Sequence, residues 1–174
     1  MGTVFVDNLE PQSGTSLTLG ASGDTLQAAS GVTNKLSKVG AVTTLDLTST
    51  YVTSSSSLTA SGISLSITPS ATTSKIMLSL SCNFYINTDG YGFLAFYRGT
   101  TNLSDSSYGH FQLNEPDNYF PVTVQHVDSP SSTSALTYNI YFAKTGTNNF
   151  YLNPSSQANN DGAEGSFTAM EILA

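Results

Sequence analysis

The chain of 174 residues holds twelve acidic and five basic side chains for a net charge of −7, and only 10 % of its residues are charged. That length fits one ordinary domain with an extended segment beside it. The acidic balance, with Lys35, Lys38, Lys75, Arg98 and Lys144 scattered along the chain apart from the Lys35/Lys38 pair, speaks against a nucleic-acid partner, which requires clustered cations.

The N-terminal stretch MGTVFVDNLEPQ has neither a basic leader nor a long apolar run, so no signal peptide is expected. Val6 stands where a myristoylation signal needs Ser or Thr. No stretch approaches membrane-spanning length, so membrane insertion is not expected. From Ser13 the segments SGTSLTLGA, SGDTLQAA and SGVTNKLS follow one another, each opening Ser-Gly-x-Ser/Thr, at Ser13, Ser22 and Ser30. A repeat this short holds one brief strand and one turn, too little to bury an apolar face by itself. Leu17, Leu19 and Leu26 are its few anchors, and stacking between chains is the expectation. The alternative is a flexible Gly/Ser linker, against which the alternation of TSLTLG speaks. Residues 1–40 therefore read as an attachment and oligomerisation segment.

Residues 41–174 read as strands almost throughout. AVTTLDLTSTYV alternates from Val42, and GISLSITPS alternates from Ile63 to Ile67 and halts at Pro69. SKIMLSLSCNFYI places Ile76, Leu78, Leu80, Cys82 and Phe84 on one face, with Ser79, Ser81 and Asn83 on the other. YGFLAFYRG is apolar on both faces, and YFPVTVQHV, ALTYNIYFA, NNFYLNP and GSFTAMEILA follow. LQAASGVTNKLSKVG is the nearest approach to a helix, weakened by Gly31 and Thr33. About eight short strands separated by turn signals predict an all-β antiparallel sandwich or jelly roll. Its edges lack the usual Lys and Glu guards, which favours covering by neighbouring subunits.

Residues for catalysis are sparse. His110 and His126 lack the spacing of paired metal ligands, and a pairing of His110 with Glu115 or Asp117 has no support from spacing. Glu115 and Asp117 flank Pro116 and read as a polar turn rather than the two carboxylates of a glycosidase. GASGD and NNDGAEG do not match a calcium loop. Cys82, the single cysteine, forbids an internal disulfide and sits in a strand-like run as a small buried residue. No nucleotide or hydrolase fingerprint occurs. Neither an enzyme, a metal nor a cofactor is expected.

Four stretches carry a resemblance: ISLSITPSATTSKIMLSLS (63–81), FLAFYRGTTNL (93–103), VDSPSSTSALTYNIYFAKTGTNNFYLN (127–153) and the closing FTAMEILA (167–174). Together they resemble the C-terminal β-domain recurrent in tail-fibre-type virion proteins of tailed bacteriophages, marine and cyanophage-like ones especially. Residues 6–33 resemble the short repeat that precedes that domain. The likeness spans most of the chain, and its most specific pieces, ITPSATTSKI, YRGTTNL and VDSPSSTSALTY, hold turn and strand chemistry without a catalytic group.

The resemblance implies a virion location and a homotrimer with a thin stem and a sandwich head, as in a short tail, collar or head fibre. Val4, Phe5 and Val6, with the three leucines, would attach it to other virion proteins. Loop-borne aromatics and amides, Tyr91, Tyr108, Asn118, Tyr119 and Asn160, are candidate contacts to a host-surface glycan, or else pack between subunits. The alternative is a capsid decoration protein without receptor binding, laying Val4, Phe5 and Val6 against the shell.

Overall fold

A computed structural model describes residues 38–87, 90–114, 117–147, 149–154 and 161–173. Val4, Phe5, Val6, Leu17, Leu19, Leu26, Glu115 and Asn160 lie outside the described residues. Within them the chain is all-β. Eleven strands follow in order: β1 (Val39–Ser49), β2 (Tyr51–Thr53), β3 (Thr59–Ile67), β4 (Lys75–Ile86), β5 (Gly92–Arg98), β6 (Thr101–Asn102), β7 (Phe111–Leu113), β8 (Tyr119–Asp128), β9 (Leu136–Lys144), β10 (Phe150–Leu152) and β11 (Asp161–Ile172).

Two antiparallel sheets divide them. In sheet A, β4 is flanked by β8 on one side and by β11 and β10 on the other, with β1 and β2 outermost. In sheet B the order is β3, β9, β5, then β6 and β7 along the free side of β5. Three courses are interrupted: β1 and β2 share one, β6 and β7 along β5 another, and β10 and β11, both paired with β4, the third. Joined, the eleven segments make eight courses, four in each sheet, with jelly-roll connectivity. The count is therefore eleven strands rather than the expected eight or so, because three courses are each broken into two segments.

Period-two patterning explains which face is buried. Along β4, Ile76, Leu78, Leu80, Cys82 and Phe84 turn inward as read from sequence, and β9 contributes Tyr138, Ile140 and Phe142 from the opposite sheet. Phe96 and Phe167 stack at 6.0 Å between centroids and join the sheets. Both faces of β5 are covered, and Phe93, Leu94, Ala95 and Phe96 are all buried. The Pro130 loop precedes β9, as expected, with Ser131 at a positive φ of 51°. In β3 the register slips between Ala60 and Ser64 around Gly62, whose φ of +88° suits glycine. There the Ser61 hydroxyl donates to the Ile140 carbonyl at 2.8 Å.

Buried polar groups close the interruptions. Asn153, fully buried at φ 58°, follows β10, and its Nδ2 faces the carbonyls of Leu47 (2.9 Å), Ser49 (3.1 Å) and Ala163 (2.6 Å). Its N–H donates to the Asn83 carbonyl at 2.7 Å. One side chain thus satisfies carbonyls that the breaks in β1/β2 and β10/β11 would leave unpaired.

The sandwich has two ends. Lys38 enters at one, where β4 and β9 begin and β8 and β11 finish. The opposite end, here called distal, gathers the connections β2–β3, β4–β5, β7–β8 and β9–β10.

Candidate functional site

Tyr91, Tyr108, Asn118 and Tyr119 all lie toward the distal end, in two groups. The first surrounds Phe93. Tyr91 ends the β4–β5 connection and is tied to the β9–β10 connection: its N–H donates to the Thr145 hydroxyl (3.0 Å), and the Thr145 N–H donates to its carbonyl (2.8 Å). Its ring lies parallel to Phe93 at 6.2 Å, and Tyr108 reaches Phe93 from the β6–β7 loop at 5.2 Å. Phe93 is 6 % exposed, whereas Tyr91 and Tyr108 are 38 % and 58 % exposed. An anchored ring thus carries two displayed ones.

Tyr108 and Phe93 help to line a cleft of about 340 Å³ with Ser56, Ser57, Leu58, Ser107, Ala143 and Thr145. That volume is at the lower end of small-molecule sites, which run from about 300 to 1,000 Å³. Among the described residues, none that lines it is charged. Ring faces beside several hydroxyls match a neutral polyhydroxylated ligand, whose C–H faces pack on aromatics while its hydroxyls exchange hydrogen bonds.

Tyr119 belongs to the second group, on the outer face of sheet A. Register sets Tyr119 opposite Tyr85, Tyr85 opposite Tyr151 and Tyr151 opposite Val52. Tyr85 stacks on Tyr119 at 4.7 Å and leans on Tyr151 at 5.5 Å, which leaves it only 3 % exposed although it points away from the core. Its hydroxyl donates to Asp117 Oδ1 at 3.3 Å. Asn118 is exposed beside this row.

Phe93, Tyr85 and Tyr151 were not among the candidates read from sequence. They are strand residues, and the available signal was the loss of alternation in GFLAF, NFYI and NFYLN, where apolar side chains occupy both faces.

The structure brings His110 and His126 together, which nothing in their spacing announces. The β6–β7 loop runs beside β5, where Gly109 at φ 79° lies so close that a Cβ would come within 2.2 Å of the Leu94 carbonyl oxygen. The His110 N–H donates to that carbonyl at 2.7 Å, and its Nδ1 accepts the Phe96 N–H at 3.2 Å. The imidazole therefore completes a ladder position left open between β6 and β7. His126 approaches from sheet A, edge to face at 4.4 Å between ring centroids. Burial, and then the neighbouring His126, lower the His110 pKa to about 4. A neutral ring is required, because a protonated Nδ1 could not accept the Phe96 N–H.

Two buried carboxylates are held by hydrogen bonds within the fold. Asp128, 7 % exposed, accepts from Arg98 Nη1 at 2.9 and 2.7 Å and from the Tyr138 hydroxyl at 2.7 Å. Glu171, 1 % exposed, accepts from the Ala41 N–H (3.0 Å), the Ser70 N–H (2.6 Å) and the Ser70 hydroxyl (2.7 Å). Those bonds, the Ala41 N–H first, hold its pKa down at about 2. Cys82 is 7 % exposed, and burial pushes its thiol up to about 12, which makes it a poor nucleophile. Asp117 sits in the turn before β8 at φ 60°, its N–H donating to the Ile86 carbonyl at 2.9 Å. Among the described residues no group of three or more His, Cys, Asp or Glu could hold a metal ion. A larger cavity of about 480 Å³ is lined by Asp46, Leu47, Thr48, Glu164, Gly165 and Ser166, but it has none of the aromatic faces of the distal cleft.

Compared with family models and with curated proteins, the chain matches none of them.

Proposed function

We propose that the chain is a structural protein of a tailed-bacteriophage virion. In this reading it is a short homotrimeric fibre of tail, collar or head, attached to other virion proteins through residues 1–40. Its sandwich turns the distal end toward the host surface and there contacts a glycan without cleaving it. One observation carries the reading: Tyr91, Tyr108, Asn118 and Tyr119 gather at the end away from the entry of Lys38. The uncharged cleft beside Phe93 supports a neutral sugar as the ligand class.

The test has two parts. Antibody raised against the chain should decorate intact particles at a projecting structure. The purified protein should retain host-surface polysaccharide, and Tyr108→Ala with Tyr91→Ala should abolish retention while leaving the polymer length unchanged in every case. Antibody that finds nothing on particles would refute the virion role. Uniform labelling of the shell, with adsorption indifferent to both substitutions, would favour a decoration protein.

A further inference from the structure

Four neighbouring strands of sheet A each carry an apolar side chain out of step with their inward-facing set near the entry end. In β1 the inward residues are Leu45 and Leu47, and Val42 points the other way; in β4 Met77 sits between buried Ile76 and Leu78. In β8 Val127 precedes buried Asp128, and in β11 Met170 sits between buried Ala169 and Glu171. Register then lines the four up: Val127 opposite Met77, Met77 opposite Met170, and Met170 opposite Val42. Val39 and Ile172, paired with each other, extend the row toward the entry of Lys38. Val39, Val42 and Val127 are 41 %, 51 % and 48 % exposed. A lone exposed valine is ordinary, but aligned apolar residues from four strands make a contiguous patch.

We infer that this patch is an interface with a second copy of the chain, sheet face against sheet face. The charge pattern selects that occupant. Two copies at −7 repel each other except where their contact is neutral. The row, and the adjoining row of Thr44, Thr168, Ser79 and Gln125, carry no charge; Lys75 marks one corner, and Asp46 and Glu164 lie farther along the face. A second copy offers the same flat, neutral, apolar row. A twofold axis crossing the strands at the patch superposes the two rows and sends Asp46 and Glu164 of the two copies to opposite ends.

The row spans about 15 Å across four strands, well short of the roughly 800 Å² per partner of a stable complex. The contact therefore takes in the hydroxyl row as well and depends on concentration. Flexible methionines at its centre suit a surface that must adapt to its own copy. The inference rests on the described face alone and stands or falls separately from the virion reading.

Met77 and Met170 are built-in probes. In the full-length protein, oxidation of both by dilute peroxide, read by mass spectrometry, should slow several-fold as protein concentration rises, in step with a scattering mass above that of one chain. Higher salt should strengthen the association by screening the like charges. Val42→Lys with Val127→Lys should remove the concentration-dependent rise in mass and restore fast oxidation, with unchanged circular dichroism. A single-chain mass at every concentration overturns the inference. So does an assembly in which both methionines oxidise as fast as in the dilute chain, since the copies would then meet elsewhere. Protection that arises only when other virion proteins are added overturns it as well, by assigning the patch to a different occupant.

Discussion

Where Lys38 enters, the sandwich buries two carboxylates among hydrogen-bond donors; at the distal end it presents tyrosines and hydroxyls around an uncharged cleft. Glu171 ties β11 to β1 and to the β3–β4 connection, and Asp128 ties β8 to β5 and β9. Such groups contribute by satisfying one another, and removing any of them leaves a buried partner unpaired. Tyr91 and Tyr108 satisfy little in the fold: their rings rest on Phe93 and otherwise face solvent. One end therefore spends its polar chemistry on stability, and the other keeps its polar and aromatic surface for contact.

Substitutions should separate the ends in graded fashion. The largest effect belongs to Asp128→Ala, which strips the acceptor from Arg98 and from the buried Tyr138 hydroxyl; we expect a loss of about 3 kcal/mol in urea unfolding. Tyr138→Phe, which removes one bond, should lose about 1 kcal/mol. If Asp128→Ala costs no more than an exposed substitution, the entry end is not held as described.

Glu171→Gln should follow at about 2 kcal/mol near neutral pH, since a carboxylate bound by three donors becomes a neutral amide. Its pH signature is the sharper test. The native pKa near 2 lies below the ordinary 4.5, so the stabilisation is complete above pH 4.5 and drains away as pH falls toward 2. The variant should lose stability less steeply across that window, and an unchanged slope would sink the assignment.

His110 acts in the adjacent window. Its native pKa near 4 lies below the ordinary 6.5, so the unfolded chain binds the extra proton first, and stability declines as pH drops from 6.5 toward 4. His126 on β8 packs against the ring and lowers its pKa, and the charge of Asp105 in the same loop opposes that shift. His110→Gln keeps an acceptor for the Phe96 N–H without titrating, and should flatten the decline between those values in thermal melts. Smallest in stability is Tyr108→Ala, within about 0.5 kcal/mol of the parent, although it should remove polysaccharide retention. A large stability loss there would make Tyr108 a packing residue.

Much of this fold could be read from the chain. Strict alternation from Ile63 to Ile67, and the inward set Ile76, Leu78, Leu80, Cys82 and Phe84, announced β3 and β4 with their inward faces, because a half-buried strand must repeat every two residues. Pro69 and Pro130 lie in the connections after β3 and β8, as their missing N–H and fixed φ require. Loops lie where strands end, so Tyr91 in the β4–β5 connection and Tyr119, which opens β8 and is not the loop residue expected, came to the same end of the sandwich. Their supports were hidden: Phe93 and Tyr85 look like core residues until the register shows them on outer faces.

Local pattern alone settled that this chain forms short antiparallel strands with a neutral, hydroxyl-rich exterior, because period and composition act within a few residues. Only the tertiary structure decided which strands became neighbours, and every site described here arises from that choice. His110 meets His126, Asp128 meets Arg98, and Val42, Met170, Met77 and Val127 fall into one row because the two sheets set their register. Register is fixed by the whole core packing at once, so no single stretch of sequence carries it.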